Sequence, residues 1–190
     1  LAALICIVLG MGMPTVGVYI LLATLIAPAL IEAGISPMAS HMFVMYFGMM
    51  SMVTPPVAIA AFAAANIAGC DGSKAGWAAT RVGWCSYIVP FLFALSPSLL
   101  MEGTMTSVLW TVTTASIGIL AGTVAVVGYF STAVNGGYRI LFMVAGLLML
   151  IPADTFSDAG WTDVVGVILM AILTGLHFLH KKREAATPAT

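Results

Sequence analysis

Apolar residues run along this chain in blocks, separated by short clusters of glycine, proline and polar residues. Residues 1–9 are apolar and meet the cluster GMGMPT, and residues 16–33 are apolar and end at EAGISP. A third run, 38–53, is interrupted by TPPV and resumes over 57–68. GCDGSKAG then reads as a polar loop. Residues 77–101 form a span that starts amphipathic and holds Pro90 and Pro97. After MEGT come a clean apolar run over 106–130, the turn STAVNGGYR and a shorter run over 138–152. The acidic loop ADTFSDAG follows, and a last run over 161–180 is closed by HKKREAATPAT. Uniformly apolar runs of this length predict helices that cross a bilayer. The expected fold class is all-α integral membrane.

Composition strengthens that reading. Of 190 residues, 62% are hydrophobic and 7% charged, against roughly 25% charged in soluble domains. The chain opens on Leu1 inside an apolar run with no basic segment ahead of it, so the run is not read as a signal peptide. The expectation is a C-terminal piece of a longer membrane protein. A net charge of −1 and the lack of a basic patch exclude nucleic acid as a partner. Cys6, Cys70 and Cys85 show no CxxC spacing and read as small buried residues.

The charges also orient the spans. With the KKR tail inside, counting backward puts Lys74, Arg81, Arg139, Lys181, Lys182 and Arg183 on the cytoplasmic side. Glu32, Glu102, Asp154, Asp158 and Asp163 fall on the other side. Residues 38–68 then cross once, with TPPV at mid-membrane. Residues 1–33 form a re-entrant hairpin tipped by GMGMPT if the preceding chain also lies outside. Otherwise they are two spans or one kinked span.

Breaks at depth need a reason, because an unpaired amide or carbonyl in hydrocarbon costs several kcal/mol. Pro55 and Pro56 lack amide hydrogens, so they are expected to free carbonyls around Met50 to Val53. Gly10 and Gly12 admit positive φ. Such carbonyls, with the hydroxyls of Thr15, Ser51 and Thr54, are hard oxygen donors suited to a small cation. Helix starts just after each break, at Thr15–Val18 and Val57–Ile59, aim partial positive charge at an anion. Paired broken helices are the pattern of sodium-coupled anion transporters. No HExxH, GxSxG, Walker loop or intramembrane carboxylate pair occurs, so no enzyme is expected and sodium is favoured over a proton relay.

GMGMPT, LLATLIAPALIEAGISPMASHMFVMYFGMMSMVTPPVAIAAFAAANIAG and VPFLFALSPSLL together resemble the C-terminal repeat of the large permease of tripartite ATP-independent periplasmic (TRAP) transporters, most closely the type with fused small and large subunits. The resemblance covers about 1–101 and implies an elevator-type architecture of two inverted repeats, of which this chain holds the second: a hairpin over 1–33, a broken helix over 38–68 and a last permease helix over 77–101. It implies a sodium ion as coupling ion, bound between hairpin tip and helix break. It also implies an organic acid substrate, such as a C4-dicarboxylate or sugar acid, handed over by a periplasmic binding protein. Carried onto this sequence, the tip is Gly10, Gly12, Met13, Pro14 and Thr15, and the break is Ser51, Thr54, Pro55, Pro56 and Val57. The expected setting is the bacterial inner membrane, with a cytoplasmic tail and with the first repeat and small-subunit region as partners. Residues 104–190 look like a three-helix extension, for which a non-transporting scaffold or assembly role is favoured.

Several further residues carry expectations. His41 reads as an interfacial histidine, and His177 with His180 as an interfacial cap beside KKR rather than a metal pair. Asn66 reads as a cap or a bond across helices, and Trp77, Arg81 and Trp84 as an inner-interface belt. Gly118 and Gly122 read as a close-packing face. The methionines at 42–52 read as pliable core packing.

Overall fold

The computed structural model describes residues 1–151 and 159–186, with side chains described over 1–151 and 160–177. Among these residues every regular element is a helix, and the only strand-like pairing is one isolated bridge between Tyr129 and Ala133. Three stretches are long and apolar enough to cross a membrane: Gly72–Leu95, Met105–Val127 and Gly160–His177. The chain divides into two compact units, Leu1–Gly103 and Thr104–Thr190.

The first unit is built from short helices. They are α1 (Ala2–Gly10), α2 (Thr15–Leu25), α3 (Ala27–Glu32), α4 (Pro37–Met50), α5 (Ile59–Ala68), α6 (Gly72–Val82) and α7 (Cys85–Leu95), followed by a 3-10 turn at Pro97–Leu100. A span needs about 20 residues, and α2, which follows α1, has 11. Instead both pack on α4 and on each other, joined by residues 11–14. They bury Cys6, Val18 and Leu22 against Phe43, Val44 and Phe47 of α4. Close approach is permitted by Gly48, where an added Cβ would lie 2.9 Å from Leu22 Cδ1. The same two phenylalanines of α4 meet α7, with the Phe91 ring 5.3 Å from both Phe43 and Phe47.

Some expectations change here. The apolar run 16–33 is two helices, with the joint at Ile26 just before Ala27 and Pro28. Proline disfavours helical geometry in the residue ahead of it and is welcome in a first turn. The core of α4 is phenylalanine and valine rather than methionine: Met49 is 48% exposed, and of the methionines at 42–52 only Met50 is buried. Asn66 is exposed on α5, and its side chain neither caps nor cross-links among the described residues. GCDGSKAG is only partly loop, since Asp71 caps α6 by accepting from Lys74 N at 2.9 Å. Cys70 is exposed and only Cys6 is fully buried.

The second unit holds α8 (Met105–Val127), α9 (Gly136–Met149) and α10 (Ala159–Ala186). Here the backbones themselves touch. A Cβ on Gly146 would sit 2.7 Å from Gly118 O and 2.9 Å from Gly122 N, so the GxxxG face of α8 seats a third glycine from α9. Arg139 donates from Nε to Ala125 O at 2.8 Å and from Nη2 to Val126 O at 3.1 Å, closing the open end of α8. His177 is buried within the unit. Its Nε2 lies 3.0 Å from Thr132 Oγ1 and its ring meets Phe130 edge-on, which ties α10 to the α8–α9 turn. Asp154 and Asp158, and the side chains of His180, Lys181, Lys182 and Arg183, lie outside the described residues.

Candidate functional site: a hairpin tip against a broken helix

α4 stops at Met50 and α5 starts at Ile59, and the seven residues 51–57 are turns and bends that lead to Ala58. The cause is local. In a continuing helix the amides of residues 55 and 56 would donate to Ser51 O and Met52 O, but both residues are proline. Their mutual peptide bond is cis. Met52 O is recovered by Ala60 N at 3.0 Å, reaching back across the break. Ser51 O, Pro55 O, Pro56 O and Val57 O accept no hydrogen bond among the described residues.

The carbonyls freed overlap only in part with the set expected around Met50 to Val53. Met50 O is fully engaged, accepting from Val53 N at 3.1 Å, Thr54 N at 3.0 Å and the Thr54 hydroxyl. Thr80 Oγ1 lies 3.5 Å from Val53 O and 3.1 Å from Gly76 O, so its single hydrogen goes to the nearer oxygen. The open oxygens are therefore those of Ser51 and Val53 and those on the far side of the prolines.

Ser51 joins the break to the hairpin. It is 1% exposed, and its Oγ lies 2.9 Å from Gly10 O and 2.6 Å from Gly48 O. One hydroxyl hydrogen serves one of these carbonyls at a time, and Gly10 O also accepts from Met13 N at 3.4 Å. Gly10 permits the approach: a Cβ there would meet Ser51 Oγ at 2.8 Å, Gly48 O at 2.9 Å and Val18 Cγ2 at 2.9 Å. Gly12 serves the tip differently. Its φ of +79° lies in the left-handed region that glycine adopts without strain, and space around it is open.

Of the remaining tip residues, Met13 packs on the core cluster, Pro14 precedes the first turn of α2, and Thr15 is exposed and bonds to neither Ser51 nor Thr54. Gly10 and Ser51 are thus brought together, whereas Thr15 and Thr54 are not. Thr54 turns to α7, where its Oγ1 is 2.6 Å from the Tyr87 hydroxyl. Since Thr54 gives its hydrogen to Met50 O, Tyr87 donates. Tyr87 is a site residue that the apolar pattern hid; a hydroxyl in an apolar run seeking a partner was the available signal. Val57 is half-buried, and Pro55 and Pro56 line a cleft of about 430 Å³ with Phe62, Ser73 and Trp77. His41 bonds to the Tyr19 hydroxyl at 3.0 Å near the surface.

Both helix starts beyond the breaks are uncapped by side chains. Pro14 precedes α2, and Ala58, at φ +34°, precedes α5. The amides of Thr15, Val16, Gly17, Ile59 and Ala61 find no acceptor among the described residues. No group of three or more metal-ligating His, Cys, Asp or Glu side chains occurs among them either.

A family model described as the DctM component of tripartite ATP-independent periplasmic transporters matches residues 1–108. The chain belongs to the DctM family. No curated protein and no solved structure matches it. The match takes in the hairpin, the broken helix, α6 and α7, and it ends in the first turn of α8. As a DctM component the chain is part of a transport permease, in a family of transporter components rather than enzymes. With three stretches among the described residues long and apolar enough to cross, this membership makes it a multi-pass inner-membrane protein whose family works with a periplasmic binding protein.

Proposed function

We propose that this DctM chain forms the ion-coupled half of a sodium-driven symporter for an organic acid. The observation that carries the reading is the junction of Gly10 O, Gly48 O and Ser51 Oγ, where two carbonyls compete for one hydroxyl hydrogen. A monovalent cation would attract all three oxygens at once, and the spare Ser51 carbonyl adds a fourth donor on the same residue. The unpaired amides at the starts of α2 and α5 supply partial positive charge for a carboxylate. In this reading the site residues are those of the tip (Gly10, Gly12, Met13, Pro14, Thr15) and the break (Ser51, Thr54, Pro55, Pro56, Val57). Tyr87 holds Thr54 in place.

The substrate is a carboxylate delivered by a periplasmic binding protein, and the first repeat and small-subunit region complete the carrier. The KKR tail faces the cytoplasm. For residues 104–190 a scaffold role is favoured, because glycine contacts and an arginine cap hold these helices together and no break interrupts α8 or α9.

Uptake by the full permease with its binding protein, measured over a panel of organic acids with and without sodium, tests the reading. Accumulation of at least one acid only in the presence of sodium is expected. Equal uptake of every transported acid in sodium and in choline would refute ion coupling.

A further inference from the structure

Asp163 lies early in α10, within the apolar stretch Gly160–His177, and is 2% exposed. Sequence alone put it among the external acids, yet its side chain is buried in the unit. One carboxyl oxygen, Oδ2, accepts from the indole nitrogen of Trp110 on α8 at 3.0 Å. The other, Oδ1, is buried with no hydrogen-bond partner among the described residues. One neutral donor does not replace the hydration that a carboxylate gives up on burial.

A counter-ion from this unit is out of reach. α8 carries no ionisable side chain. On α9 the ionisable groups are Tyr138 and Arg139. Arg139 is tied to Ala125 O and Val126 O, fifteen or more residues along α8 from Trp110, or roughly 22 Å at the helical rise. On α10 itself His177 is fourteen residues on, about 21 Å away, and His180, Lys181, Lys182 and Arg183 are further still. The connecting residues 152–158 contain two aspartates and no base. No basic side chain of the second unit therefore reaches this carboxyl along α8 or α10.

We propose that Asp163 is a proton-binding site of the C-terminal unit, with a proton from water bound to Oδ1 while Oδ2 keeps the Trp110 hydrogen bond. The ligand is H⁺, the bond formed is O–H, and the buried group becomes a neutral acid. This fits a rigid contact between α8 and α10 without a second charged residue. It gives the unit a chemistry independent of the tip and break.

Dicyclohexylcarbodiimide, which couples to protonated carboxyls in apolar surroundings, tests this on the full chain in lipid vesicles, with adducts mapped by peptide mass. Labelling of Asp163 at neutral pH is expected, falling at least tenfold at alkaline pH, absent from Asp163→Asn, and equal in sodium, potassium and choline. Suppression by sodium would show a metal cation at the site and overturn the proposal. So would labelling that appears only after the chain is unfolded. Asp163→Asn also reports without the reagent. Asparagine mimics the neutral acid, so an unchanged thermal midpoint at neutral pH is expected, and a clear rise would reveal a buried anion in the native protein.

Discussion

At the α4–α5 junction and at the α8–α9 contact, glycine lets two segments of chain approach closely, but to opposite ends. In the first, Gly10 O and Gly48 O crowd a serine hydroxyl and Ser51 O has no partner. In the second, Gly118 O lies 2.7 Å from where a Cβ of Gly146 would stand, and both helices keep running. Glycine is needed in both places. In one it exposes polar groups and in the other it brings paired backbones together. The first unit accepts unpaired groups that hydrocarbon penalises by several kcal/mol each. The second closes even the end of α8 with an arginine.

Substitutions at the two glycines break the comparison most strongly. Gly10→Ala pushes a methyl into Ser51 Oγ and Gly48 O, separating tip from break. Uptake is expected to fall more than tenfold while the protein still inserts, checked by transport assay beside membrane fractionation. Gly146→Ala does the reverse. Overpacking of this kind costs about 1–3 kcal/mol, so the thermal midpoint of the full chain is expected to drop with uptake per folded molecule unchanged. Loss of uptake from Gly146→Ala at full folding would assign the second unit a part in transport.

Smaller effects sharpen the contrast. Arg139→Met removes two charge-assisted bonds to the α8 terminus, each worth about 1.5–3 kcal/mol at most. It is expected to lower stability, seen by differential scanning, and to leave sodium dependence alone. Tyr87→Phe removes one hydroxyl bond to Thr54, worth about 1 kcal/mol. A severalfold rise in the sodium concentration for half-maximal uptake is expected, with little change in the midpoint of unfolding.

How much of this was legible depended on whether the cause was local. Pro55 and Pro56 must interrupt a helix wherever they stand, and Gly10 and Gly12 marked the end of α1 for the same reason. The joint at Ile26 was equally local, written in Pro28, and was masked by the apolarity around it. Which carbonyls stay open was not local. Ala60 and the Thr54 hydroxyl recover Met52 O and Met50 O through the particular path of the turn. The pairing of Ser51 with Gly10, forty-one positions apart, follows from how the hairpin lies on α4. Direction also escaped the pattern. Asn66 turned outward and His177 inward, because an apolar run does not say which face meets protein and which meets lipid.

Ser51→Ala in the full permease tests the central claim most directly. It deletes the one oxygen that binds tip to break and leaves a small apolar group in its place. Sodium titration of uptake in vesicles is expected to show the half-saturating sodium concentration raised about tenfold or more, with the chain inserted and folded as before. A sodium dependence identical to that of the native protein would contradict the assignment of this junction as the ion site.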